Sequence, residues 1–446
     1  MKITLISPKG PLYRHRGGIF GKSLRYQPLT LTTLSALVPD ELGAEITLID
    51  ESIEEIPARI EADLIGMTVI TGTAPRAYEL ARRLRANGTP VVLGGPHVTL
   101  NPDEAAAEAD TIVTGYAEDS WPQLLRDFAA GAMRTRYDQA TDFTLDTPVF
   151  PERDRFPKGK FLTQAVFEAT RACAHACEFC VAPAAWGRKQ YQKPVAHVVE
   201  DIRRTGSRKA LFVDLNLVSD RRYARELFTA LIPLNIRWYG LATSLIGRDP
   251  ELMELIARSG CAGLLIGFET VTEAGLGAVR KGFNKPELYA KLIDDLHRLG
   301  IAVNGTFVFG GDADTPETFR ETADFVLETG IDLPRFAVLT PFPGTPLYAR
   351  LAAEGRIFTR DWELYDGQHV VFEPKGMSVR ELELGHEAAW KRVYAWGAVA
   401  RRTWRAGRQA PLAFTSNLGY RFYAHNLARF YTCDWPEMAG TTGAAA

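Results

Sequence analysis

Two series of short apolar runs, each run separated from the next by a stretch with helical spacing, leave this chain few ways to fold. The first series is KITLIS (2–7), EITLID (45–50), LIGMTVI (64–70), PVVLGG (90–95) and TIVTG (111–115), with helical stretches such as 77–87 between them. Unbroken Val, Ile and Leu runs suit parallel strands buried on both faces, with the helices as crossovers. This predicts an α/β fold whose residues 1–140 form a doubly wound, Rossmann-like parallel sheet. The second series is 163–170, 209–216, 236–243, 262–270, 302–310 and 334–340, separated by helical stretches such as 250–259, 286–299 and 316–329. Six βα units over residues 161–355 imply a full or partial TIM-type barrel, a (β/α)6 arrangement if partial. Residues 141–160 hold three prolines and no sustained apolar period, as a linker would. Residues 356–446 read as a helical C-terminal extension rich in Trp, Tyr and Arg.

Composition narrows the function classes. Hydrophobic residues make up 46% of the 446, which excludes a disordered chain, and 52 Lys+Arg against 54 Asp+Glu give a net charge of −2. That balance, with no terminal basic module, argues against a nucleic-acid partner. No apolar run approaches the roughly 18 to 20 residues that span a bilayer, and the first residues turn polar too early for a signal peptide. A chain with no transmembrane segment and a cytoplasmic location is expected.

Ligands of doubly wound sheets bind beyond the carboxyl ends of the strands. Here those ends carry Thr71-Gly72-Thr73, Gly94-Gly95-Pro96-His97 and Gly115-Tyr116-Ala117-Glu118, the candidate mouth of a site. Barrel sites likewise lie at strand C-termini. The segment after the first barrel strand is Thr170-Arg-Ala-Cys-Ala-His-Ala-Cys-Glu-Phe-Cys180. Three of the five cysteines, Cys173, Cys177 and Cys180, therefore crowd into one loop. Three thiolates on a 4Fe-4S cluster leave one iron open to a ligand. The alternative is a structural zinc site, for which His175 is the available fourth ligand. Cys261 and Cys433 stand apart and read as buried small residues.

The C-x3-C-x2-C spacing, with Phe179 before the third cysteine and a barrel around it, resembles the radical S-adenosylmethionine superfamily. The likeness continues at successive strand ends. Phe212-Val-Asp-Leu-Asn216 resembles the second-strand motif near the methionine end of S-adenosylmethionine, which implies roles for Asp214 and Asn216. Gly267-Phe-Glu-Thr270 resembles the fourth-strand segment near its ribose and amino group, which implies Gly267 and Glu269. Thr306-Phe-Val-Phe-Gly-Gly311 resembles the glycine motif near adenine, which implies Gly310. Each alone is weak, since a strand ending in Asp, Glu or Gly is ordinarily core followed by a turn.

The first 140 residues resemble the cobalamin-binding domain that precedes the radical barrel in one subgroup, through Val91 to His97 and Val113 to Glu118. Thr71, Gly94, Gly95, Gly115 and Glu118 are the implied cobalamin contacts. The Asp-x-His-x-x-Gly segment that supplies a lower cobalt ligand elsewhere is absent. His97 is the remaining histidine after a glycine turn, a position more often structural than ligating. A domain that has lost cobalamin and serves as scaffold stays open. The extension, with Trp362 to Asp366 and His369 to Phe372, is similar to that of enzymes acting on hopanoids and related substrates.

The resemblance implies a 4Fe-4S cluster, S-adenosylmethionine and cobalamin as cofactors. It implies reductive cleavage of S-adenosylmethionine to a deoxyadenosyl radical, hydrogen abstraction from an unactivated carbon, and methylation of that carbon from cobalamin. A small-molecule, lipid-like or tetrapyrrole substrate follows, as does a reductase, flavodoxin or ferredoxin as electron donor. The alternatives are radical oxidation or cyclisation without methyl transfer and, from another class, a non-catalytic corrinoid or iron–sulfur carrier.

Overall fold

The computed structural model describes residues 1–10, 26–278, 280–407 and 410–427. Cys433 and the small-residue end of the chain lie outside them. All five anticipated strands of the first series form: β1 (Lys2–Ser7), β2 (Glu45–Asp50), β3 (Leu64–Thr68), β4 (Val91–Gly94) and β5 (Thr111–Thr114). A sixth, β6 (Arg136–Asp138), has only Tyr137 buried and is too short and polar to show in the apolar pattern. The sheet runs β2-β1-β3-β4-β5-β6 and every pairing is parallel. The strand order reverses at β1, which places the switch point of the sheet beside the turn that follows β3. Helix Ala74–Ala86 buries Ala77, Tyr78, Leu80, Ala81 and Leu84 on one face of the sheet. Helix Ser120–Ala129 buries Trp121, Leu124 and Leu125 on the other, and the Trp121 indole donates to the Leu34 carbonyl at 3.1 Å.

The second sheet contains β7 (Val166–Phe167), β10 (Lys209–Phe212), β11 (Arg237–Ala242), β12 (Cys261–Glu269), β13 (Ala302–Phe309) and β14 (Arg335–Val338). They lie in chain order, all parallel, and among the described residues β14 does not pair back to β7. The barrel is therefore the partial, open form. Burial alternates strictly along β13, so one face of the strand looks into the barrel and the other onto the helices. The open edge at β14 is covered by the extension: Val338 N–H donates to the Gly367 carbonyl at 2.7 Å. Helix Val379–Val393 packs outside it, its Trp390 indole donating to the Phe336 carbonyl at 3.2 Å.

The first barrel strand is shorter than its apolar run suggests, and a distant carboxylate is the reason. Asp214 accepts the Ala169 N–H at 3.1 Å, the Thr170 N–H, and the Thr170 hydroxyl at 2.8 Å. These donors are lost to the ladder. The chain turns out of the barrel into a small antiparallel pair, β8 (Thr170–Arg171) with β9 (Tyr191–Gln192), and the cysteine loop lies between them. Residues 141–160 have little regular structure yet are anchored: Phe143 and Phe156 are buried, and Arg153 grips Asp201 with two hydrogen bonds.

Candidate active site

The cysteine loop begins with strain. Ala172 is a buried non-glycine residue at φ +63°, a conformation costing on the order of 1 kcal/mol, so the surrounding packing dictates how the chain enters Cys173. Farther on, Glu178 is buried and accepts from Arg350 Nε at 2.8 Å, while Arg350 Nη1 reaches Asp312 at 2.7 Å. That relay ties the loop to the turn after β13. Phe179 packs with the apolar group of Leu339, Leu347 and Tyr365 and so anchors the loop beside Cys180.

All three cysteines are free thiols; Cys177 feels the charge of Cys180 and Cys173, Cys180 that of Cys173, and both feel Glu269 and Lys281. Burial pushes the Cys177 thiol up to about 11 and raises Cys180 as well. Sulfurs this enclosed are poor thiolates on their own and need a positively charged centre to share. Among the described residues no three His, Cys, Asp or Glu side chains converge on a single-ion site. A cluster asks for a wider spread, each thiolate reaching its own iron, and the donor set fits it. His175 is otherwise engaged: its ring stacks on Phe283 at 4.0 Å with 18° between the planes.

Glu269 ends β12 at φ +68°, just past a register shift against β13. Its carboxylate is paired with Lys281, whose ammonium also donates to the Gly267 carbonyl at 3.0 Å. Gly267 makes room for the pair, since a Cβ there would stand 2.3 Å from Glu269 Oε1 and 2.8 Å from Lys281 Nζ. Asn284 donates to the Gly267 and Phe268 carbonyls, so residues 281 and 284 together brace the strand end.

Asp214 is committed to the loop entry, and burial, reinforced by the charge of Glu168, pushes its carboxyl up to about 7. Asn216 differs. Its amide oxygen accepts from Val218 N–H at 3.3 Å, but its Nδ2 is buried with no partner. An orphan donor at a strand end is costly unless a ligand takes it, and a carboxylate or hydroxyl would. Gly310, at φ +100°, has no space for a side chain because Leu382 of the extension lies 2.9 Å from where its Cβ would be. Its N–H donates to Asp314 at 2.9 Å.

The turns of the first sheet sort by what their glycines do. Gly95 is at φ +107°, with a Cβ position 2.7 Å from the Val69 carbonyl oxygen, and Gly115, at φ +75°, abuts Gln139 at 2.6 Å. Both serve internal contacts. Gly72 and Gly94 do not: the nearest protein atoms to their Cβ positions are 3.7 and 3.5 Å away, and neighbouring Ile70 is 49% exposed. Positions without side chains whose Cβ sites meet only ordinary contacts, beside an exposed apolar strand tip, let a broad, flat ligand such as a corrin approach the backbone.

Thr71 Oγ1 and His97 Nδ1 lie 3.3 Å apart, and His97 Nε2 lies 3.1 Å from the Tyr78 hydroxyl and 3.3 Å from Glu104. His97 is fully buried, burial lowers its basicity, and both of its ring nitrogens are within hydrogen-bond reach of protein groups. Glu104 in turn accepts from the Trp362 indole at 3.0 Å, joining the first sheet to the extension.

Glu118 pairs with Arg171, which holds Glu168 at 2.8 Å, and Lys193 reaches Glu168 at 3.2 Å. Tyr116 stacks between Phe143 and Trp186 at 5.2 and 5.6 Å. The turn after β5 is thereby fastened to the linker and to the helix Val181–Trp186 that follows Cys180. Arg171, Lys281, Arg350 and Trp186 were not anticipated. Arg171 sits inside the cysteine segment and its position alone was a hint, whereas Lys281 and Arg350 follow no local pattern.

A doubly wound sheet, an open parallel barrel and three thiols in one loop after its first strand, Cys177 buried and Cys173 and Cys180 partly so, define an iron–sulfur enzyme architecture with a second cofactor domain. Comparison with known proteins agrees. Residues 167–326 match the radical SAM superfamily and residues 25–125 the B12 binding domain. The chain is 31% identical over 388 residues to bacteriochlorophyllide d C-12(1)-methyltransferase of Chlorobaculum tepidum, covering 84% of each. It is 32% identical over 401 residues to the C-8(2)-methyltransferase of the same organism, covering 84% of this chain and 87% of that one. The solved structure of TsrM from Kitasatospora setae, with cobalamin and a [4Fe-4S] cluster bound, shares the fold at TM-score 0.65 and 19% identity, covering 79% of this chain and 78% of that one. The chain belongs to the cobalamin-dependent radical S-adenosylmethionine enzymes. Among the described residues no helix is long and apolar enough to cross a membrane.

Proposed function

We propose that this enzyme methylates an unactivated carbon of a chlorophyll-type tetrapyrrole. The similarity at 31% over 84% of both chains to a bacteriochlorophyllide d methyltransferase carries the reading. Both relatives compared above 30% are named methyltransferases, which favours methyl transfer over oxidation or cyclisation, and membership of an enzyme family disfavours a carrier. When bound, the cluster and S-adenosylmethionine supply a radical able to take hydrogen from carbon, and cobalamin supplies the methyl group.

The chain's own residues bind, orient and exclude water. Cys173, Cys177 and Cys180 hold three irons, with Asp214 fixing the backbone that leads into them. Asn216 Nδ2 would donate to the carboxylate of S-adenosylmethionine, and Glu269, held in place by Lys281, would accept from its ammonium or ribose. Gly72 and Gly94 cradle the corrin, with Thr71, Gly95, Gly115 and Glu118 shaping the turns around it. Residues 1–140, 161–355 and 356–446 act as three units around the 141–160 linker. A flavodoxin, ferredoxin or reductase delivers the electron in the cytoplasm.

Anaerobic turnover with methyl-labelled S-adenosylmethionine and a bacteriochlorophyllide d acceptor tests the proposal. Labelled pigment together with adenosylhomocysteine and deoxyadenosine is the expected result. Deoxyadenosine with unlabelled, oxidised or ring-closed pigment would overturn it.

A further inference from the structure

From Ala388 to Cys433 the sequence has Lys or Arg at 391, 392, 401, 402, 405, 408, 421 and 429 and not one Asp or Glu. In a chain of net charge −2 this is a strongly one-sided stretch. It is also aromatic, and the helices it forms expose apolar surface. Trp404, in helix Trp396–Arg405, is 88% exposed and Trp396 is 56% exposed.

The next helix, Ala410–Ala424, packs Tyr420, Tyr423 and Ala424 onto the core, but its earlier turns bury a polar residue and turn apolar ones outward. Asn417 is buried, accepting from Arg402 Nε at 2.8 Å and donating to the Ala413 carbonyl at 2.9 Å and the Asp332 carbonyl at 3.3 Å. Leu412, Phe414 and Leu418 face outward, at 55%, 43% and 41% exposure. Arg401 and Arg405 are exposed beside Trp404. The Arg421 guanidinium lies 4.3 Å over the Trp396 ring.

We propose that this face seats the enzyme on an anionic lipid surface. Outward Leu, Phe and Trp flanked by arginines, in a stretch that contributes no carboxylate of its own to repel phosphate headgroups, match what an interfacial helix requires. A second copy of the chain fits poorly, because a two-fold contact would set the acid-free stretch against itself. Single-stranded nucleic acid would use Trp404 and Phe414 for stacking but leave the aliphatic Leu412 and Leu418 without a partner, whereas a lipid surface takes up all four. The proposal depends on neither the cofactors nor methyl transfer.

The full chain, sedimented with phosphatidylcholine vesicles with and without phosphatidylglycerol, provides the test. Retention on the anionic vesicles that falls with salt is expected. The L412S/F414S/L418S variant should bind roughly tenfold or more weakly with unchanged thermal unfolding. Tryptophan emission should shift to the blue on anionic vesicles, and W404F should lose part of that shift. Lack of retention, or equal retention of wild type and variant, would overturn the proposal. So would a concentration-dependent dimer that the variant abolishes without any vesicle binding, or vesicle binding displaced by single-stranded nucleic acid.

Discussion

Glu118, at the end of the turn after β5, forms an ion pair with Arg171, two residues ahead of Cys173, and both side chains are nearly enclosed at 14% and 12% exposure. The sheet expected to hold cobalamin is thus connected to the loop expected to hold the cluster through one guanidinium. Because Arg171 also holds Glu168, its loss strands Glu118 and leaves Glu168 with Lys193 alone, whereas loss of Glu118 leaves Arg171 paired with Glu168. Arg171→Met should lower stability by about 3 to 5 kcal/mol and Glu118→Gln by clearly less. Urea unfolding of the full chain checks the order, and equal losses would show that the Glu168 contact contributes nothing.

Replacing Cys173, Cys177 and Cys180 together with Ala should abolish iron and sulfide binding on anaerobic reconstitution, while cobalamin binding persists in the first sheet. Metal and sulfide analysis with the visible spectrum reads both. Reconstituted wild type holding zinc and no sulfide would contradict the cluster assignment.

Glu269→Gln separates a cofactor contact from a purely structural pair. If the carboxylate accepts from S-adenosylmethionine, affinity in equilibrium dialysis should fall about 10 to 150-fold, the value of a hydrogen bond to a charged group of roughly 1.5 to 3 kcal/mol, with iron content unchanged. Should the pair with Lys281 be its whole role, Glu269→Gln and Lys281→Met would lower stability alike and leave that affinity intact.

The two adjacent glycines should respond oppositely. Gly95→Ala forces a Cβ to within 2.7 Å of the Val69 carbonyl at φ +107°, so unfolding stability should drop by about 2 kcal/mol or more. Gly94→Ala has ordinary space and should fold normally, yet weaken cobalamin binding followed by the cofactor spectrum.

Asp214 introduces a pH dependence. Its folded-state carboxyl is raised to about 7 from an ordinary 3.8, so the native state holds more protons than the unfolded chain between those values. Its contribution is therefore present at low pH and is lost as pH rises through about 7. Asp214→Asn should flatten this part of the stability profile between about pH 4 and pH 7, as measured by denaturant unfolding across that range. An unchanged profile would show that Asp214 is ionised throughout.

Much of the fold was legible without coordinates because burial on both faces imprints itself locally. Five of six strands in the first sheet, all six barrel positions and the cysteine loop follow from apolar runs, their spacing and one motif. The strand missed, Arg136–Asp138, is an edge element with one buried side chain and so leaves almost no periodic trace. The site was legible only as far as its residue types. Glu118 and Glu269 were read as ligand-facing carboxylates, and nothing near them in sequence indicates that Arg171 and Lys281 already pair with them.

By itself the sequence determined two parallel α/β units and three thiols in one loop, since hydrophobic period and cysteine spacing act over a few residues. Tertiary structure alone decided that Gly367 covers the edge of the open barrel, and that Asp214 ends the first barrel strand at Phe167. It also decided that a side chain at Gly95 would clash with Val69 while one at Gly94 would meet only ordinary contacts. Each of these depends on which distant group arrives at a given backbone atom, and a buried hydrogen bond or a 2.7 Å clash leaves no mark on the order of residues along the chain.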